Sequence, residues 1–293
     1  MNPPGANETK NRPFSNGLFC FVRGVGEYKK LTSRRPNKYV VLSVLSLLTF
    51  LAMWQIATEV LKIVPSYAMP SVTRVLATFV NKLTNRSPDG STLPQHILAS
   101  LQVAGLGFFT AAIIGVPLGI AMGWYRRVDL LVKPVFDLIR PVPPIAWIPL
   151  MVLWFGIGLV PKAFIVFIPA FISCLVNTYS GIKQTKEVHI WVAQSFGASN
   201  FRIARTVAIP SALPMIFTGL RIGLGCSWVA LVAAELLAST SGLGYMIQVA
   251  RVFARVDLII VGMLTIGAVG ALLAVILFEV EKKYLKGRVG SDG

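Results

Sequence analysis

The chain has 293 residues; 55% are hydrophobic and 14% charged, and 28 Lys and Arg against 12 Asp and Glu give a net charge of +16. A soluble domain averages roughly 25% charged residues, and a water-soluble globule of this length could not bury so much apolar surface, as the mean hydropathy of +0.69 also indicates. A disordered chain, a collagen-like fibre and a disulfide-stapled secreted module are excluded, and the basic balance reads as membrane topology rather than nucleic-acid binding, because the charges cluster between apolar runs.

Residues 1–38 are mostly polar and hold eight Lys and Arg. This head is too long for an ordinary signal peptide, and no clear small-residue cleavage site follows the first apolar run, which is expected to be a retained anchor. A membrane span needs about 20 largely apolar residues. The first candidate is Tyr39 to Thr58, without charge. The second lies within Ile97 to Tyr125 and carries Gly115, Gly119 and Gly123. Glycines four apart share a helix face and let a neighbouring backbone approach closely. The third lies within Pro141 to Pro161 and opens Arg140-Pro-Val-Pro-Pro-Ile-Ala-Trp-Ile-Pro149. Prolines at that density resist a regular helix, so the segment is either a Pro-rich helix start at the interface or a broken segment beside a pathway.

The fourth span lies within Ala163 to Ile182. Lys186 to Arg205 follows as a long, moderately polar, helix-compatible loop. The fifth span, about Leu213 to Leu237, carries a second glycine pair, Gly219 and Gly223, and two charges, Arg221 and Glu235. The two charges share a helix face but sit about 21 Å apart along the axis. They cannot pair on one straight helix, so each partners another span or subunit, or lies near an interface. Charges inside a membrane are expensive and make both residues candidates for a translocation pathway, with Trp228 on the same span as a third. The sixth span is Leu258 to Phe278. An all-α membrane protein of about six spans follows, with a tail 1–38, a transmembrane domain 39–283 and a tail 284–293. With the first tail in the cytoplasm, the inside segments hold 20 Lys and Arg and the outside segments 7, leaving Arg221 within the membrane. Both ends are therefore expected to be cytoplasmic.

Little in the chain suggests bond chemistry. Cys20, Cys174 and Cys226 are scattered and odd in number, without metal-ligand spacing. The only histidines, His96 and His189, lie at or outside span ends, and the chain has no phosphate-binding loop of its own. No catalytic, cofactor or metal residues are expected.

The loop carries the most specific pattern. The stretch Val192-Ala-Gln-Ser-Phe-Gly-Ala-Ser-Asn-Phe-Arg-Ile-Ala-Arg-Thr-Val-Ala-Ile-Pro-Ser-Ala-Leu-Pro214 resembles the EAA loop of ABC-importer permeases. That family pattern is Glu-Ala-Ala, three residues, Gly, nine residues, Ile, one residue, Leu-Pro. Gly197 and Pro210 match, Val207 stands for the Ile and Ile209 for the Leu, while Trp191-Val192-Ala193 replaces Glu-Ala-Ala. The resemblance covers about Trp54 to Lys283. Arg140 to Gly158, Thr218-Gly-Leu-Arg-Ile-Gly-Leu-Gly225, Leu231-Val-Ala-Ala-Glu-Leu-Leu237 and Ser241-Gly-Leu-Gly-Tyr245 are similar to the taurine, alkanesulfonate and nitrate permeases, most of all to the taurine branch.

The resemblance implies a type I ABC importer permease fold with a cytoplasmic coupling helix in a loop of about 186–210, in a bacterial inner membrane. It implies a homodimer with a second permease copy, two cytoplasmic ATPase subunits that bind ATP and Mg, and an extracytoplasmic solute-binding protein. Contact with the ATPase is expected at Gln194, Ser195, Phe196, Gly197 and Ala198, with Pro210 closing the loop, Gly197 acting by close approach. The expected solute is taurine, or else an alkanesulfonate or nitrate, with selectivity mainly in the binding protein. An ion-coupled secondary transporter is the rival class; it would need intramembrane acids, and only Glu235 qualifies.

Overall fold

The structure is a computed structural model that describes residues 37–61, 65 and 68–285. The two expected basic tails fall almost wholly outside these residues. The chain divides into two units, Met1–Ala52 and Met53–Gly293. Helix α1 (Asn37–Gln55) begins in the first unit and runs into a π turn at Ile56–Val60. In the second unit α2 (Val72–Lys82) starts where the Ser71 hydroxyl accepts from the Arg74 N–H. Helix α3 (Leu93–Trp124) is fixed at its start by the Gln95 side chain, which accepts from the Thr92 N–H at 2.9 Å. Then follow α4 (Arg126–Ile139), a 3₁₀ turn (Pro144–Trp147), α5 (Ile148–Phe155) and α6 (Leu159–Lys183). The remaining elements are α7 (Glu187–Ser195), α8 (Asn200–Ile203), a π turn (Ala204–Ala208), α9 (Ile209–Leu237), α10 (Leu243–Val252) and α11 (Val256–Leu285).

Both glycine rows of the sequence pack on α6. A Cβ at Gly115 would meet Cys174 and Phe171 at 3.2 Å, one at Gly119 would meet the Leu175 carbonyl at 2.8 Å, and one at Gly123 would meet the Ile182 Cβ at 2.7 Å. Partner numbers rise together, so α3 and α6 run parallel. On the other side Gly219 meets Ser173 and Asn177, Gly223 meets Ala170, and Gly181 of α6 meets Ala212 and Met215, so α9 runs antiparallel to α6. Helix α11 in turn runs antiparallel to α9, because Trp228 packs at Gly270 while Arg221 pairs with Glu281.

This register decides the topology. Parallel helices put Trp124 and Leu159 at opposite ends of the bundle, so the chain between them must cross back. It does so as one broken crossing, α4 followed by the 3₁₀ turn and α5, with a bend of 84° between the two halves. The crossing climbs α6 in order. The Tyr179 hydroxyl donates to Asp129 at 3.2 Å, the Phe136 ring packs edge-on against Phe171 at 6.5 Å, and Ile148 and Met151 pack with Ile165. Among the described residues five single helices are long and apolar enough to span a bilayer, and the bent pair brings the crossings to six. The third expected span, within Pro141 to Pro161, is therefore corrected. The crossing starts at Arg126, Arg140–Pro143 is the break in its middle, and Pro161 already belongs to α6. Proline disfavours helical backbone in the residue before it and supplies no N–H, which ends α4 at Arg140.

Gly119→Val should remove the α3–α6 fit, at a cost of about 1–3 kcal/mol for overpacking. Its thermal midpoint in detergent is expected to fall, while Gly105→Ala, whose Cβ would meet only its own helix's Phe109 ring at 4.0 Å, should match the parent. Equal midpoints for both would refute close backbone packing at this seam.

Candidate functional site

Residues 184–208 leave and re-enter the bundle at one end, beside Trp124 and the start of α9. Helix α7 stops in a Schellman turn: the Gly197 N–H donates to Gln194 O at 2.8 Å and the Ala198 N–H to Ala193 O at 3.1 Å. Gly197 has φ +74 and no atom within 4 Å of where a Cβ would stand. Within this chain the glycine therefore serves a left-handed backbone, a reason beyond the close approach expected of it. The Ser199 hydroxyl caps α8 by accepting from the Arg202 N–H. Pro210 has no N–H to offer the Thr206 carbonyl, and the turn before it widens into a π turn closed by Ile209 N–H on Ala204 O.

Gln194, Ser195, Phe196 and Gly197 are exposed and Ala198 is half-buried. The Ser195 hydroxyl donates back to Trp191 O at 3.0 Å. Phe196 is 86% exposed, the most of any large apolar side chain described. With Val188, Trp191 and Val192 it forms an apolar stripe at helical spacing on a polar segment, the arrangement of a helix that lays one face into a groove. Trp191, where the EAA pattern has Glu, extends this stripe.

The three pathway candidates on α9 each find partners inside the chain. Arg221 forms an ion pair with Glu281 of α11, and its guanidinium lies 5.8 Å from the centre of the Phe278 ring. Trp228 donates to Ile266 O at 3.2 Å and is buried in the notch at Gly270. Glu235 is 1% exposed. It accepts from the Ser100 hydroxyl at 2.8 and 3.0 Å and from the Gly244 N–H at 2.9 Å. Arg221 and Glu235 thus each meet another helix and not each other.

Around Glu235 lies a polar knot that sequence reading missed. Ser100 also accepts from Leu243 N–H at 2.9 Å, and His96 Nδ1 accepts from Gly242 N–H at 3.2 Å. His96 Nε2 stands 3.1 Å from Asp89, which Lys82 also contacts. Burial by itself would raise the Asp89 pKa, but hydrogen bonding and charge from His96 and Lys82 outweigh it and hold the carboxyl below its usual range. Lys162 donates to Ser239 at 2.9 Å. Glu235 itself and the Ser241-Gly-Leu-Gly-Tyr245 motif were the signals of this site, while Ser100, His96, Asp89 and Lys82 carried none. A Cβ at Gly242 would fall on the Glu235 carboxylate and one at Gly244 would stand 2.7 Å from the Glu235 Cβ, so the two glycines together admit this side chain.

Glu235→Leu should strand the Ser100 hydroxyl and the Gly244 N–H, each at about 1–3 kcal/mol. Ser100→Ala is expected to lower the thermal midpoint less in the Glu235→Leu background than in the parent, the remaining loss coming from the Leu243 N–H that Ser100 also serves; strictly additive losses would show the two are uncoupled.

Comparison with known proteins follows this geometry. Residues 115–290 match the family described as "Binding-protein-dependent transport system inner membrane component". The chain is 39% identical over 264 residues to the taurine transport system permease protein TauC of Escherichia coli K12, covering 87% of this chain and 94% of that protein. It is 32% identical over 243 residues to the putative aliphatic sulfonates transport permease protein SsuC of Bacillus subtilis 168, covering 83% and 86%. Among solved structures, a chain of the MetNI methionine ABC transporter in inward-facing conformations aligns with a TM-score of 0.55 at 17% identity, over 67% of this chain and 95% of that one. The bundle is a type I importer fold, and the protein belongs to the binding-protein-dependent ABC permeases, a non-catalytic, multi-pass inner-membrane subunit that works with an ATPase and a solute-binding protein.

Proposed function

We infer that the solute is a small sulfonate, taurine foremost, moved inward across a bacterial inner membrane. The similarity to the taurine permease over nearly the whole of both chains carries this reading. Alkanesulfonates are the nearest alternative, supported by the aliphatic-sulfonate relative, with nitrate behind them. A homodimer with two ATPase subunits and one binding protein is the assembly we propose, with ATP and Mg held by the ATPases. The loop end faces the cytoplasm in this reading. Arg126, Arg127, Lys183, Lys186, Arg202, Arg205, Lys282 and Lys283 all gather there, in keeping with the positive-inside rule.

Docking runs through α7 and its turn. Phe196, with Gln194, Ser195, Gly197 and Ala198, would seat in a cleft of the ATPase, and Pro210 would fix the angle at which the loop rejoins α9. The exposed apolar stripe supports this, since only a partner would cover it. Closure of the ATPase pair on ATP would draw two such loops together and swing the spans outward-facing, because ATP binds the two states unequally. Arg221, Glu235 and Trp228 would act on passage mainly by holding α9 to α3, α10 and α11.

Gly197→Ala forces a non-glycine residue into the left-handed region, a cost of about 1–2 kcal/mol. Phe196→Ala shortens the exposed anchor without touching the bundle. Both variants are expected at normal membrane levels, with weakened ATPase capture on pull-down and reduced uptake; full capture by both would remove the docking role. Labelled taurine uptake by cells with and without this chain, with nitrate and longer alkanesulfonates as competitors, tests the solute. Loss of taurine uptake without the chain, resistant to nitrate, is the expected result. Unchanged uptake would move the assignment to another sulfonate or nitrate.

A further inference from the structure

Helix α4 carries charge deep into the bundle wall. At 3.6 residues per turn, Arg126, Lys133, Asp137 and Arg140 fall within about 60° of one another around the helix, while Leu131, Val135 and Leu138 occupy the far side. All seven are exposed, and Val128, Val132 and Phe136 make the face that packs on α3 and α6. The depth of the polar stripe follows from the register. Phe171 is the middle residue of α6, and the Phe136 ring packs against it. Arg140 caps α4 one turn further on, its N–H donating to Phe136 O at 2.9 Å. The stripe therefore climbs from the loop end to the middle of the membrane.

Three observations fix what this stripe can face. Among the described residues the side chains of Lys133, Asp137 and Arg140 make no ion pair or hydrogen bond. This sets them apart from Arg221, Glu235, Lys162 and Asp257, which all have polar partners. Charges at that depth are not left in hydrocarbon, and Arg140 is about 21 Å along the helix from Arg126, too far for a side chain to reach the loop-end surface. The irregular backbone at Arg140–Pro143 lies at the same level and also requires water or protein beside it.

We propose that Lys133, Asp137 and Arg140 line a water-filled path that opens at the loop end, and that Arg140 is the cation that meets the anionic group of the solute at mid-depth. A planar guanidinium matches two sulfonate oxygens at once. Asp137, one turn earlier, suits the ammonium of an aminosulfonate and offsets the charge of Arg140, so the site holds the solute loosely enough to release it. The path follows from geometry, while the identity of the anion rests on the sulfonate reading above.

The test uses the full transporter with its binding protein and ATPase, with Cys20, Cys174 and Cys226 replaced by Ser. Leu131→Cys, Lys133→Cys, Leu138→Cys and Arg140→Cys are made singly. An anionic, membrane-impermeant methanethiosulfonate is applied from the loop side in the absence of nucleotide. Cysteines at 133 and 140 are expected to react at least tenfold faster than those at 131 and 138. Equal reaction at all four would mean α4 lies flat on the membrane surface, and no reaction at 133 and 140 would mean protein or lipid seals the stripe; either overturns the path. In the native-cysteine protein, Arg140→Gln should cut sulfonate uptake at least tenfold and Arg140→Lys only a few-fold, with binding-protein-stimulated ATP hydrolysis retained in both. Unchanged uptake in Arg140→Gln, or loss of stimulated hydrolysis together with uptake, would overturn the role of Arg140. A parent complex that takes up no sulfonate would overturn the solute reading and Arg140 as its ligand, while the labelling still decides the path.

Discussion

The fold turns on the grip that two glycine rows exert on α6. Hydrophobic burial cannot hold helices together in a bilayer, where lipid tails are as apolar as leucine, so association relies on close van der Waals fit. Helix α6 is the most buried of the candidate spans, at 56% of its apolar window, because α3 and α9 both approach it backbone to backbone. The two grips differ in direction, parallel for α3 and antiparallel for α9. From that difference the rest of the topology follows. The parallel pair forces a crossing through α4 and α5, and the antiparallel pair returns the chain to the same end around the loop of α7 and α8.

Polar groups divide sharply over this frame. At the end away from the loop, Glu235, Ser100, His96, Asp89 and Lys82 are buried and joined to one another or to backbone N–H groups. A buried carboxylate without such donors would be costly, and here the backbone of Gly242 and Gly244 comes close enough to supply them. The knot ties α2, α3, α9 and α10 where helix packing alone would leave their ends to splay. On α4 the opposite holds for Lys133, Asp137 and Arg140, which are exposed, aligned and, among the described residues, without an ion pair or hydrogen bond from their side chains. The same physics, the cost of charge away from water, reads the first set as fastening and the second as lining.

The loop end shows how an exposed segment can be rigid without being buried. A Schellman turn, a serine cap and a π turn before Pro210 account for its backbone hydrogen bonds, so α7 holds its shape while almost none of it packs on the bundle. The Glu-to-Trp replacement at residue 191 then becomes intelligible. A glutamate is exchanged for added apolar area on the exposed stripe that ends at Phe196, so docking of the kind proposed above would lean on shape and burial.

The sequence alone was enough for the membrane class, the glycine seams and the loop pattern, because each is local: a run of apolar residues, a four-residue spacing, a Gly and a Pro at fixed separation. It also placed Arg221 and Glu235 out of reach of each other, which follows from helix rise. It could not decide their partners, since Glu281 and Ser100 lie far along the chain and meet them only through helix register. The third crossing was misread for the same reason. Taken by itself, α4 is too charged to be recognised as part of a span, and only the parallel packing of α3 on α6 requires the chain to climb there. What local spacing encodes was legible; what depends on which ends of which helices meet was decided by the tertiary structure, because direction and depth are properties of the packed bundle and not of any one segment.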